Sequence, residues 1–295
     1  MKENFLTKKT NKRIVLGIQY DGSLWQGWQT QYHGKTIQNI VEDALKKFLL
    51  TPIKITCASR TDSGVHALEQ IVHFDTVLKR SNISWIRGIN NFLPYSIAII
   101  WVYEISNSFL FSLDVLKNNK KTKNIFHARF SAISRKYCYL LYNYPIRLPL
   151  FYKKFGWVHS PLNLQRMRIA ANYLIGTHNF TTFRSSACQA KSPICNIYKF
   201  NIEKHGNFFI LNICANSFLQ HMVRNIIGSL IMVGNLKKEP EWILELLKNN
   251  NRNKAGPTFM ADGLYLVKIK YSSKWKLPQQ SIFKKWFKNI SKNFF

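Results

Sequence analysis

Apolar residues in this 295-residue chain switch between strand spacing and helix spacing in one order, and then do so again. Few folds accept that order. Arg13 to Tyr20 is a run of Ile, Val and Leu closed by Asp21-Gly22, and reads as a strand. Thr36 is a good N-cap, and behind it Ile37, Ile40, Val41, Ala44, Leu45, Phe48 and Leu49 recur at helical spacing up to Pro52. Ile53, Ile55 and Cys57 alternate as a strand, and Gln70 to Asp75 is another. Ser81 caps a second helix through Trp85, Ile89 and Phe92, and Ile97 to Tyr103 reads as a buried strand. The order is β-α-β-β-α-β.

The second half repeats it. Arg135 to Tyr144 is a long strand, and Leu164 to Ile175 is a helix with Gly176 as its C′ residue. Ile197 to Glu203 and Phe208 to Cys214 are strands joined by His205-Gly206-Asn207, a hairpin signal. Ser217 to Val233 is a strongly apolar helix, Pro240 to Lys248 a shorter one, and Leu264 to Ile269 the last strand. Two βαββαβ units in tandem give an α+β fold of two ferredoxin-like halves with a cleft where they meet. No residue-level repeat accompanies the repeated order. The expected divisions are 1–115 for the first half, 116–126 for a basic connecting loop, 127–273 for the second half and 274–295 for a basic, aromatic tail. In that tail Phe283, Trp286, Phe287 and Ile290 form one face of a short helix, which docks on the body or touches RNA.

Charge narrows the class of partner. Lys and Arg number 43 against 14 Asp and Glu, a net charge of +29. Such an excess points to a polyanion, most often nucleic acid. The competing explanation is compositional, since abundant Lys, Asn, Ile and Phe also follow from an AT-biased genome. Five scattered cysteines without a C-x-x-C pair support neither a zinc site nor a disulfide framework. The eight histidines show no metal spacing, and no P-loop or G-x-G-x-x-G implies a nucleotide cofactor. The basic N-terminus lacks the apolar core of a leader, and no apolar run reaches the length of a membrane span. A cytoplasmic protein is expected.

Four residues stand out as candidates for chemistry. In Ala58 to Phe74, ASRTDSGVHALEQIVHF, a polar turn sets Asp62 two residues after Arg60 and two before Gly64. A lone Asp beside an Arg, on a backbone shaped by Gly, is how a nucleophilic carboxylate is kept ionised and aimed. Asp, Ser and Gly are also ordinary turn residues. Arg224 lies in HMVRNIIGSLIMVG, a helix apolar nearly all round and hence buried. A buried Arg needs a partner. Asp62 is one candidate, and backbone carbonyls or water at a helix end are the alternative. Tyr137 shares a strand face with Arg135 and Tyr139, which suits either base stacking or ordinary core packing.

These motifs resemble those of the bacterial tRNA pseudouridine synthase A family. The similarity runs through YDGSLWQGWQ at Tyr20 to Gln29, SRTDSGVHALEQIVHF at Ser59 to Phe74 and HARFSAISRKYCY at His127 to Tyr139. It continues through FTTFRSSACQ at Phe180 to Gln189, NSFLQHMVRNIIGSL at Asn216 to Leu230 and GLYLV at Gly263 to Val267. The resemblance implies conversion of uridine to pseudouridine at positions 38, 39 and 40 of tRNA. It implies a pseudouridine-synthase fold with a central basic cleft, a homodimer that cradles the anticodon stem-loop, no metal and no organic cofactor. Asp62 falls on the family's catalytic aspartate, Tyr137 on the tyrosine that packs against the target base, and Arg60 and Arg224 on basic residues near the aspartate. Ser59 and Ser63 stand where the family usually has Gly and Ala. Cys195 stands where it usually has Arg, and Met260 where it usually has Pro.

A reading from another class is a non-catalytic RNA-binding or RNA-folding protein. The Arg60-Asp62 pair favours an enzyme, because binding alone has no use for a carboxylate in a basic cleft. No RNP1-like sequence supports simple RNA-recognition-motif binding.

Overall fold

The computed structural model describes residues 12–32, 34–105 and 125–278. The basic loop at 116–124 and the aromatic face expected at 283–290 lie outside the described residues. In the first half, β1 (Lys12–Tyr20), β2 (Thr56–Cys57), β3 (His66–Thr76) and β4 (Ile97–Ile105) alternate with α1 (Ile37–Leu49) and α2 (Asn82–Asn90). The second half holds β5 (Ala132–Asn143), β6 (Gly156–Val158), β7 (Gly176–Asn179), β8 (Ile194–His205), β9 (Phe208–Ala215) and β10 (Leu264–Tyr271). Its helices are α3 (Leu164–Asn172), α4 (Met222–Gly234) and α5 (Trp242–Asn249).

All these strands join one mixed sheet in the order β4-β1-β3-β10-β5-β9-β8-β7, with β2 beside β3 and β6 beside β5. Within the first half, then, the last strand flanks the first, the first flanks β3, and β3 flanks β2. In the second half β10, β5, β9 and β8 follow one another in the same way. The halves meet where β3 and β10 run parallel, with His66 opposite Tyr265 and Ala67 opposite Leu266.

That seam is short in backbone pairing, and side chains reinforce it. His66 Nε2 lies 3.0 Å from the carbonyls of both Lys153 and Asp262. The His66 ring stacks on Tyr265, centroids 4.6 Å apart. Its Nδ1 faces Asp21 at 3.0 Å, and Lys154 pairs with the same carboxylate. His66 above all, then Lys154 and Ser23, hold the Asp21 carboxyl far below the usual range against the opposing effect of burial.

The helices form for the reasons their sequences give. Thr36, fully buried, accepts from Asn39 N at 3.4 Å and caps α1. The buried stripe of α1 is Ile37, Val41, Ala44, Leu45 and Leu49. Ser81 caps α2 through Ser84 N, and Trp85 meets Phe48 edge-on at 5.6 Å, joining the two helices. Replacing Thr36 with Ala is expected to cost about 1 kcal/mol, seen as a lower denaturant midpoint at unchanged slope. An unchanged midpoint would show that the cap contributes nothing.

Several expected boundaries shift. Of the strand expected over Ile53 to Cys57, Thr56 and Cys57 pair, opposite His73 and Val72. The strand expected from Gln70 begins at His66, because its first residues face β10. The helix expected from Ser217 begins at Met222, since His221 adopts a left-handed backbone (φ 62°) that ends the preceding turn. Gly176, expected to close a helix, instead opens β7 at φ 106°. The short strands β6 and β7 carry no periodic signal and exist through their pairing with β5 and β8.

Candidate active site

The Asp62 turn is held from many sides. Trp28 N donates to Thr61 O at 3.0 Å, and Tyr20 hydroxyl meets Thr61 Oγ1 at 2.8 Å. Gly64 N donates to Trp25 O at 3.2 Å, and Val65 N to Asp62 O at 3.2 Å. Gly64 itself sits at φ 81°, a conformation suited to glycine. Gly27 lies so close behind the turn that a Cβ there would meet Thr61 O at 2.8 Å. Upstream, Gln70 brackets Ser59 through both its amide oxygen and its amide nitrogen. The backbone of this turn therefore has few alternatives to the one it adopts.

The structure brings Arg224 and Asp62 together from opposite halves. Arg224 Nη1 lies 3.3 Å from Asp62 Oδ2, and Arg224 Nε donates to Phe259 O at 2.8 Å. Both kinds of partner considered for this arginine are thus present at once. His221 Nε2 approaches the same carboxylate oxygen at 3.7 Å. Among the described residues no hydrogen bond engages Oδ1, and the Asp62 side chain keeps a fifth of its surface in solvent (20%). A carboxylate gripped at one oxygen and open at the other is aimed rather than merely neutralised.

Tyr137 is reached through Ser59, whose Oγ lies 3.0 Å from the phenol oxygen. The ring is buried at 5% exposure and meets Phe218 edge-on, centroids 5.0 Å apart. Burial pushes its pKa up to about 12; the Ser59 hydrogen bond opposes this and the Asp62 charge adds to it. Near neutrality Tyr137 is a phenol. Arg60 is exposed, and among the described residues no hydrogen bond or ion pair engages its guanidinium.

The strand face of Arg135, Tyr137 and Tyr139 is largely buried. Tyr139 is fully buried and donates to Met260 O at 2.9 Å. Arg135, 9% exposed, donates to four carbonyls. Two are close, Asn216 O and Arg129 O, each at 2.7 Å. Ala132 O and Ala58 O lie at 3.3 Å. It ties together the segment leading to Asp62, the turn before β5 and the segment leading to α4. Sequence reasoning missed this role, and it missed His221 beside Asp62. The spacing of His221 and Arg224, three apart at a helix start, was the one signal for the latter. No group of three or more possible metal ligands occurs among the described residues.

Comparison with known proteins places the chain in a family. The sequence model of a tRNA pseudouridine synthase family matches residues 17–110 and 170–272. The chain is 53% identical over 272 residues to a tRNA pseudouridine synthase A of Janthinobacterium sp. (strain Marseille), covering 92% of this chain and 96% of that protein. It is 52% identical over 273 residues to a tRNA pseudouridine synthase A of Herminiimonas arsenicoxydans, covering 92% and 94%. The protein named tRNA pseudouridine synthase A in Paraburkholderia phymatum is 46% identical over 266 residues, covering 90% and 93%. By the span of that match and by these identities, the chain belongs to the tRNA pseudouridine synthase family, isomerases that turn uridine in tRNA into pseudouridine.

Proposed function

We propose that the chain isomerises uridine at positions 38, 39 and 40 of the tRNA anticodon stem-loop, with Asp62 as nucleophile and no cofactor, as a cytoplasmic homodimer. The observation that carries this is the Asp62 carboxylate, gripped by Arg224 at Oδ2 and open at Oδ1. The reaction breaks the bond from C1′ to N1, turns the uracil, and joins C1′ to C5. The proton lost from C5 balances the one gained at N1. Nothing is oxidised or reduced, so a positioned nucleophile, a place for the freed ring and a proton acceptor are enough. Asp62 attacks C1′ or C6, or takes a sugar proton; all three need an ionised, aimed carboxylate.

Arg224 pairs with the Asp62 carboxylate across 3.3 Å. Tyr137, a buried phenol joined to the Asp62 turn through Ser59, walls the uracil pocket and is placed to assist loss of the C5 proton. Arg60, exposed two residues from Asp62, is placed to fill the stack that the target base leaves. The halves, 1–115 and 127–273, read as tandem ferredoxin-like units, a reading supported by the same strand order in each. Their meeting point is the basic cleft for the RNA.

The direct test is release of tritium from C5 of labelled uridine in unmodified tRNA. Release is expected from wild type, and is expected to stop when all three target uridines are replaced by cytidine. Release that persists in that tRNA would place the reaction elsewhere. Binding should also be strongly salt-dependent, because phosphate contacts displace counterions. Six such contacts would weaken affinity about 10³-fold between about 50 and 200 mM salt. A flat dependence would mean that the +29 charge has no part in binding.

A further inference from the structure

Phe130 is an oddity for a soluble protein: a large apolar ring, 77% exposed, on a turn that is anything but loose. His127 Nδ1 accepts from the backbone N–H groups of Arg129 and Phe130 at 3.1 and 3.2 Å. Ser131 closes the turn from both ends, its Oγ accepting from His127 N at 3.0 Å and its own N donating to His127 O at 2.9 Å. His73 Nδ1 accepts from Ala128 N at 3.2 Å, and Tyr271 hydroxyl donates to Ala128 O at 2.6 Å. Arg135 takes Arg129 O at 2.7 Å. One ring face is backed by the His127 imidazole, with centroids 4.3 Å apart and planes 28° from parallel. The Arg129 guanidinium lies 5.8 Å from the ring centroid. Burial, and then the Arg13 charge, lower the His127 pKa, which keeps Nδ1 free to accept those backbone bonds.

An exposed apolar ring held this firmly is preorganised for a partner, since little side-chain freedom remains to be lost on binding. Its place says which partner. The Arg135 guanidinium bonds Arg129 O and Ala58 O together. Ala58 stands four residues before Asp62, a span of at most about 14 Å. Two exposed cations, Arg60 and Arg129, border the same region. A flat apolar face beside exposed positive charge fits a nucleic-acid base with its phosphate, the pairing that single-strand binding surfaces use.

We propose that the Phe130 ring, backed by His127 and flanked by Arg129, is a stacking platform for an unpaired base of the RNA substrate next to the Asp62 turn. It rests on the reading of the chain as an enzyme acting on RNA, and adds a second contact beyond the target uridine. A platform that any base fits would hold the loop in place without selecting its sequence.

The test compares wild type, Phe130→Ala and Phe130→Trp in binding unmodified tRNA transcript and in C5 tritium release. Phe130→Ala is expected to bind about tenfold more weakly and Phe130→Trp within about twofold of wild type. Release by Phe130→Ala should fall at low tRNA and recover at saturation, because the platform holds RNA and does no chemistry. Unchanged binding by Phe130→Ala overturns the platform. So does equal weakness of both variants, or a change in molecular mass in solution, which would mean that a second copy of the chain covers the ring. Those outcomes leave wild-type release intact, whereas a wild type that neither binds nor releases overturns the RNA reading and the platform with it.

Discussion

Asp62→Asn is expected to abolish tritium release from C5 while leaving tRNA affinity within a few-fold of wild type. The substitution keeps shape and volume, and it sits in a turn whose bonds are made by the neighbours Thr61, Gly64 and Val65 and by the Asp62 carbonyl, not by its side chain. Arg224 retains Phe259 O as a partner, so its guanidinium stays anchored. What disappears is the negative charge, which the proposed chemistry requires. Loss of such a group costs about 10⁴-fold or more in turnover. Affinity is expected to hold, because removing an anion from a basic surface does not weaken phosphate contacts. A variant that turns over within tenfold of wild type would remove Asp62 from the nucleophile's role. A variant and a wild type that both bind tRNA and both release nothing would instead favour the reading as an RNA-binding protein.

Arg135→Met is expected to cause the largest loss of stability, about 3 kcal/mol. Methionine fills much of the same volume but offers no donor to the four carbonyls the guanidinium serves. Buried acceptors without partners are what make such losses large. For a chain of this size that is a fall in melting temperature of about 5 °C. Because the four carbonyls belong to the segments that carry Asp62, Phe130 and α4, turnover should fall further than the folded fraction does. A melting temperature within about 1 °C of wild type would mean that water replaces the guanidinium without cost.

Much of this was legible in the sequence, and the pattern of success has physical reasons. Elements with local signals were readable: β1 by its apolar run, α1 and α2 by caps and stripes, and the β8–β9 hairpin by Gly206-Asn207. The Arg224–Asp62 contact was one of two outcomes the sequence left open: a cation on an apolar helix needs a partner, and backbone carbonyls or water were the alternative to Asp62. Features set by distant pairing were not readable. β6 and β7 are three and four residues long and form because β5 and β8 offer them an edge. Tyr139 fits a stacking face as well as a core strand, and only the β9 and β10 neighbours decide for the core. Phe130 looked like one more apolar residue, because nothing local tells a buried ring from a displayed one.

The placement of β10 between the halves also sets when the protein becomes an enzyme. Asp62 and Arg224 are separated by 162 residues, and His66 and Asp262 by 196. At ribosomal speeds of about 5–20 residues per second, the aspartate exists for roughly 10–30 s before its cation has been made. The strand that brings the two halves into register comes later still. A growing chain therefore carries Asp62 long before it carries the arginine that pairs with it. The assembled site exists only near the end of synthesis, and a truncated product lacking β10 has Asp62 and Arg224 but not the strand that joins their halves.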